Sequence, residues 1–318
     1  MLVGGLLAAT LVAGGCRPAG SPPSTPPAPG GAPVEVPSDL GRQALERITR
    51  LAALGPRDAG TPGGRRAAEW IAAELRGLGL AVTLDTFDDD TPDGPRPFHN
   101  VLATLPGASA DGIVLLSHFD TKAGIADAFI GANDGGSSTG LLLALAGWLA
   151  RQPRPLTLHF AFLDGEECRY RYGPRDGLHG SRRLAGQMKQ AGTPVRAVIL
   201  LDMVGDQDLR FTVPRNSSRV LKRLLLDAAQ AQGCRDRVML LDSDILDDHQ
   251  PFLDQGFAAI NLIDFHYGTR PGANDLWHTP ADTLDKLSAE TLQQVGAVTL
   301  EMIHRLGLRS TTTEHDNG

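Results

Sequence analysis

Cysteine is nearly absent from this chain of 318 residues, which has Cys16, Cys168 and Cys234 and no others. Their spacing demands no bridge, so Cys168 and Cys234 are expected to be unpaired thiols. Clusters of lysine and arginine are also missing. The 30 basic and 37 acidic side chains leave a formal net charge of −7. That balance argues against nucleic acid as a partner. No internal repeat stands out, and the N-terminal apolar run (1–16) is too short to span a bilayer. With 42% hydrophobic and 21% charged residues, the chain can bury one large core, so one main domain is expected.

The run MLVGGLLAATLVAGGC is small and apolar and ends in Ala13-Gly14-Gly15-Cys16. It resembles a bacterial lipoprotein signal, although a basic leader is missing and Ala13 stands where Leu is usual. Residues 1–16 are therefore assigned to an export signal, with Cys16 as the position of a possible lipid anchor. Residues 17–37, rich in Pro, Gly, Ala and Ser, cannot build a core and are assigned to a linker. The expected location is the cell envelope of a bacterium, in the periplasm or lipid-anchored. The main folded domain is expected over 38–308 and a disordered tail over 309–318.

From Ser38 onward helical and strand patterns alternate. Ser38 is placed to cap a helix over 39–54, and a second helix over 65–78 stops at Gly79. Strands are expected at about 80–87, 98–104, 112–117, 156–163, 196–201 and 257–263. Further helices are expected at 137–150, 180–191, 217–232 and 288–306. Near-continuous apolar runs such as IVLL and AVILL mark strands covered on both faces. The predicted fold is a single-domain α/β/α sandwich with a mostly parallel central sheet.

The ends of these strands carry the chemistry. His118 and Asp120 follow IVLLS in SHFDTK, Glu166 and Glu167 follow the strand in FLDGEE, and Asp202 follows AVILL. Asp134 in GANDGG precedes a helix, and His278 lies in LWHTP. In such sheets ligands bind at the carboxyl ends of the strands, so these groups should open onto one rim. Each has an ordinary structural reading, such as a turn or cap for Asp134 and a solvated pair for Glu166 and Glu167. Together they weigh differently, because adjacent buried carboxylates repel unless a cation or proton resolves them. Histidines and carboxylates with a spare carboxylate beside a ligand suit a zinc site that carries its own general base.

These motifs resemble the zinc-dependent M28 aminopeptidase clan. Lys122 in HFDTK, the gap between Glu167 and Gly180-Ser181, DGLHGSRRLA (176–185), DDHQPFL (247–253) and Trp277 before His278 resemble its glutaminyl cyclase branch more closely. The resemblance covers about 39–306. It implies one zinc held by Asp134, Glu167 and His278, with Glu166 as proton shuttle and Asp202 and Asp247 in its hydrogen-bond network. Trp277, Tyr172 and Lys122 would contact a substrate with a peptide or protein N-terminus, and a monomer is expected. Departures are Asn261, where the cyclase pattern has His, Tyr172 as the aromatic after Glu167, and a longer 265–275 loop. The rival enzyme is an aminopeptidase with two metals, the second held by His118 and Asp202 with Asp134 bridging. A non-catalytic binding domain on the same fold is a third reading, opposed by the retention of every ligand and the base.

Overall fold

All six segments expected to be strands are strands in the computed structural model, which describes residues 34–313. In chain order the strands are β1 (Ala81–Thr91), β2 (Gly94–Leu105), β3 (Ser109–His118), β4 (Leu156–Leu163), β5 (Val195–Asp202), β6 (Phe211–Val213), β7 (Val238–Leu240) and β8 (Ala259–Ile263). The main sheet has the order β1-β2-β4-β3-β5-β8. Its β4, β3, β5 and β8 run parallel, and the β1–β2 hairpin adds an antiparallel edge. A short parallel pair, β6 and β7, stands apart.

The period-2 alternation of the parallel strands builds two cores. Ile113 and Leu115 of β3, Phe160 and Phe162 of β4, and Ile199 and Leu201 of β5 join the larger one. They pack with α1 (Leu40–Ala52), α2 (Pro62–Gly77) and α3 (Gly136–Leu149). Val114, Leu116, Val198 and Leu200 point to the opposite face, against α4 (His179–Gln190). The larger core also takes α5 (Arg219–Ala231), while Phe252 of α6 (His249–Asp254) joins the smaller one and α7 (Ala289–Thr313) flanks α1. Burying each such side chain contributes roughly 1.5–3 kcal/mol. Helix α3 is buried all round rather than on one stripe, as its run of Leu, Ala and Gly requires at the centre of a layer. The two covered faces make the architecture the expected α/β/α sandwich.

The differences from the expected elements have local causes. Ser38 does not cap α1: the residue before the helix is Asp39, with no capping bond from its side chain. The Gln293 carbonyl oxygen accepts from Gly41 N at 2.8 Å, so a tertiary contact satisfies that helix end. The acidic run Asp88-Asp89-Asp90, expected to lie between strands, continues the hairpin to a tight turn at Pro92 and Asp93. Within the run, Asp89 lies 2.8 Å from His179 Nδ1, and earlier on the same strand Asp85 pairs with Arg183 at 2.7 Å. Residues 34–37, assigned to the linker, are docked: Val34 N donates to Glu301 and Gln293 donates to Pro37 O. Helix α7 continues to Thr313, into the stretch assigned to a tail. The export signal (1–16), linker residues 17–33 and tail residues 314–318 lie outside the described residues.

Helix α6 buries His249 completely, and neither ring nitrogen has a hydrogen-bond partner. Burial pushes its pKa down to about 4 from an ordinary 6.5. Below pH 6.5 the unfolded chain takes up a proton at this position that the folded chain refuses. Its stabilising contribution is therefore complete above about pH 6.5 and is lost as pH falls toward 4. A displacement of this size corresponds to about 3 kcal/mol. Denaturant unfolding between pH 4 and 7 should show that slope, and His249→Phe should flatten it. An unchanged slope in the variant would remove His249 as its source.

Candidate active site and metal centre

The carboxyl ends of β4 and β5 bring Glu166, Glu167 and Asp202 to a pocket that loops complete with Asp134, Asp247 and His278. Asp134, Glu166, Glu167, Asp202, Asp247 and His278 all line a hollow of about 290 Å³. Two groups share Asp134. His278 Nε2 stands 2.8 Å from Glu167 Oε1 and 3.3 Å from Asp134 Oδ2. His118 Nε2 stands 3.2 Å from both Asp134 Oδ1 and Asp202 Oδ1. Within each trio, Asp134–Glu167–His278 and His118–Asp134–Asp202, ligand atoms lie within 4.8 Å of one another, close enough to hold one ion. The buried oxygens Asp134 Oδ2 and Glu167 Oε2 are met only by long ion-pair contacts, from His278 Nε2 at 3.3 Å and Lys122 Nζ at 3.4 Å. Buried carboxylate oxygens so loosely partnered are costly, so the residues fit a cation.

The charge pattern agrees. Burial works against the charged ring of His118, but hydrogen bonds to Asp120, Asp134 and Asp202 outweigh it and raise its pKa well above the usual histidine range. Burial likewise opposes His278, yet Asp134 and Glu167 hold it up at about 9. Glu167 is raised to about 7 by burial and by the charge of Asp134. Glu166 is raised well above the carboxylate range by burial first, then by the charge of Glu167. Asp134 is held below that range: burial opposes this, but hydrogen bonds from His118 and His278 prevail. Without a metal the histidines serve as the site's cations, the role a metal takes over when it binds.

A set of surrounding groups fixes the loops that carry these side chains. Asp120 is fully buried and accepts the backbone N–H of Glu166 at 3.2 Å and of Glu167 at 3.1 Å, shaping the turn that carries the two glutamates. Asp282 does the same for the Asp134 loop, accepting from Asn133 N at 2.8 Å, Asp134 N at 3.1 Å and the Tyr267 hydroxyl at 2.8 Å. Arg57 is fully buried and donates to the carbonyls of Phe119, Ile130 and Gly131, tying the end of β3 to the start of that loop. Gly135 has φ +73° and a Cβ there would meet Asp120 O at 2.8 Å, so only glycine lets the chain turn beneath Asp134. Among the described residues, the three non-glycine positions with positive φ are Leu178, Met203 and His278. His278 and Met203 line the pocket, and Leu178 N donates to Glu166 O at 2.9 Å. Backbone held in this region costs about 1–3 kcal/mol and collects where surrounding structure fixes functional groups.

The remaining expected residues are distributed as follows. Tyr172 donates its hydroxyl to Glu166 Oε1 at 2.9 Å and, with Trp277, lines the pocket. Trp277 stacks on His278 with centroids 4.0 Å apart and leans on Phe265 at 5.0 Å, forming an apolar wall. Asp202 is bonded to His118 rather than to Glu166, a correction to the expected network. Asp247 acts on Glu166 through charge, while Asn261 Nδ2 donates to its Oδ2 at 2.6 Å. Lys122, expected at the substrate, is absent from the pocket lining. Its ammonium lies behind Glu167, 3.4 Å from Oε2, and donates to Cys168 O and Sγ. Burial of Glu167 recruits the lysine as a counter-charge. Cys168 and Cys234 are free thiols. Asp120, named with His118 as a metal-ligand type, is an orienting group outside both trios. Arg57 and Asp282 were not recognised from sequence; their only signals were a charged residue inside a glycine-rich loop and an Asp four residues after His278.

Residues 100–303 match the model of peptidase family M28, and the chain belongs to that family. Its more similar relatives are cyclotransferases. Glutaminyl-peptide cyclotransferase of Drosophila melanogaster is 31% identical over 269 residues, 76% of this chain and 73% of that protein. Glutaminyl-peptide cyclotransferase-like protein of Bos taurus is 33% identical over 258 residues, 71% of this chain and 66% of that protein. The chain thus matches just under two thirds of the bovine relative's own length. The crystal structure of glutaminyl cyclase from an Acidobacteriales bacterium superposes with a TM-score of 0.81 at 34% identity, covering 90% of this chain and 99% of that one.

Proposed function

We propose that this protein is a zinc-dependent glutaminyl-peptide cyclotransferase, which converts an N-terminal glutamine into pyroglutamate and releases ammonia. The observation that carries the reading is the pairing of Glu166 with Tyr172, inside an apolar-walled pocket and one residue from the ligand Glu167. Asp134, Glu167 and His278 would hold the metal. When bound, zinc supplies a Lewis acid for the side-chain amide carbonyl. Glu166 accepts a proton from the substrate's α-amine as its nitrogen bonds to the amide carbon. It returns that proton to the departing nitrogen, which leaves as ammonia, so the carboxyl ends unchanged. Trp277 and Phe265 exclude water and hold the glutaminyl chain folded back on its own amine, where ring closure is favoured.

With a Gln-initiated peptide the protein should form pyroglutamate and ammonia in equal amounts, and free no Leu from a Leu-initiated one. Trp277→Ala should lower kcat/KM at least about tenfold while zinc content stays unchanged, because the wall and not the metal positions the substrate. Release of Leu without pyroglutamate would replace this reading with a peptidase. One observation favours that alternative, the second trio of His118, Asp134 and Asp202, which resembles a second metal position.

A further inference from the structure

The catalytic pocket does not end at its mouth. Tyr172 and Leu246 line it and also line a second hollow of about 430 Å³, enclosed between the 172–182 segment and α6. Leu246 forms part of the ridge between them and is 48% exposed, an apolar side chain left in water beside a reaction site. Its lining adds apolar Pro174, Leu178 and Pro251 beside Gln250, Gln255 and the exposed Asp254. The one cation of that lining, Arg182, is spent on backbone: it donates to Pro174 O at 2.7 Å, Gly173 O at 2.8 Å and Gly177 O. Arg182 keeps its charge but holds its terminal nitrogens against those carbonyls, while Asp254 is exposed and negative.

We infer that this hollow is a downstream subsite for the substrate peptide. It receives an apolar side chain at the second or third residue and disfavours an acidic one there. The inference rests on the cyclotransferase reading, since it needs the glutaminyl residue in the first pocket. From there the peptide must leave past the ridge of Tyr172 and Leu246. Each further residue advances about 3.3–3.6 Å, so the next side chains reach the adjoining hollow. An apolar group there covers Leu246 and Pro251, whereas a carboxylate gives up water beside the exposed Asp254, with Arg182 and Gln250 already donating elsewhere. The occupant is therefore the substrate's own chain, and the substrate class is peptides and protein N-termini with an apolar residue near the glutamine.

Binding of pyroglutamyl product peptides, followed by calorimetry on the zinc-loaded protein, tests this without turnover. The wild type should bind pyroglutamyl-Ala-Leu-Ala amide about tenfold more tightly than pyroglutamyl-Ala amide, the scale set by seating a few apolar carbons. Pyroglutamyl-Leu-Ala-Ala amide tests the second position in the same way, and a peptide with Asp in place of Leu should gain nothing. Gln255→Trp, which fills the hollow, should bring the longer peptides down to the affinity of the short one. Asp254→Lys should narrow the gap between Leu and Asp peptides. Ammonia release from Gln-Ala amide should be unchanged in both variants. Equal affinity of the wild type for all these peptides would overturn the subsite, as would variants that weaken short and long peptides alike. Failure of the cyclotransferase reading looks different: no ammonia from any Gln peptide, whatever the binding pattern.

Discussion

Glu166→Gln is expected to lower turnover at least about a hundredfold and leave zinc bound, the effect of removing a general acid and base. The amide keeps the shape of the carboxyl and can still meet the Tyr172 hydroxyl 2.9 Å away, but it can no longer accept and return a proton. Burial and the neighbouring Glu167 charge raise the pKa of Glu166. A cation held at Glu167 would offset part of that charge and lower the Glu166 pKa, the direction that favours a group that both takes and gives a proton. Glu167→Gln should behave oppositely. Its Oε1 faces His278 at 2.8 Å within the Asp134–Glu167–His278 trio, so metal is lost and activity with it, and excess zinc restores part of both. Zinc content by atomic absorption, beside ammonia release, separates the two variants. Equal zinc loss in both would mean that base and ligand are wrongly divided.

The division between these neighbours could be read from sequence only as a likeness. Two adjacent glutamates after an apolar strand announce a resolved charge, but not which of them faces the ion. In the fold, Asp120 takes both backbone N–H groups and fixes the turn, after which the Glu167 side chain meets His278 and the Glu166 side chain meets Tyr172. The parallel strands were legible because strands buried on both faces read as continuous apolar runs. The hairpin end was not, since Asp88-Asp89-Asp90 looks like a loop until its full pairing with 95–97 and the contact of His179 of α4 with Asp89 are seen. Tertiary partners override local propensity there. Lys122 was misplaced for the same kind of reason. Its position in HFDTK puts it near the site, but which side of Glu167 it occupies depends on the fold of the 166–180 segment, and no period encodes that. Arg57 and Asp282 act through backbone carbonyls and amides, which leave no pattern in side-chain spacing.

Asp134→Asn should be the most damaging single change at the centre, because Asp134 is the one residue common to both trios. Its two oxygens face different histidines, Oδ1 toward His118 at 3.2 Å and Oδ2 toward His278 at 3.3 Å. The amide offers one oxygen where the carboxylate offers two, and brings a nitrogen against a histidine or a metal. Zinc affinity should fall by at least about a hundredfold, and ammonia release should fall below detection, since the Lewis acid is gone. Asp202→Asn then distinguishes one metal from two. If His118 keeps its proton among Asp120, Asp134 and Asp202, which stand 3.5, 3.2 and 3.2 Å from its ring nitrogens, the second trio is a charge network satisfied without an ion. Asp202→Asn would then leave one zinc per chain and most of the activity. A site that normally holds two ions would drop from two equivalents to one in that variant and lose turnover in step. Stoichiometry measured on both variants and the wild type decides the point. Two zinc equivalents in the wild type, falling to one in Asp202→Asn, would turn the centre into that of a two-metal peptidase.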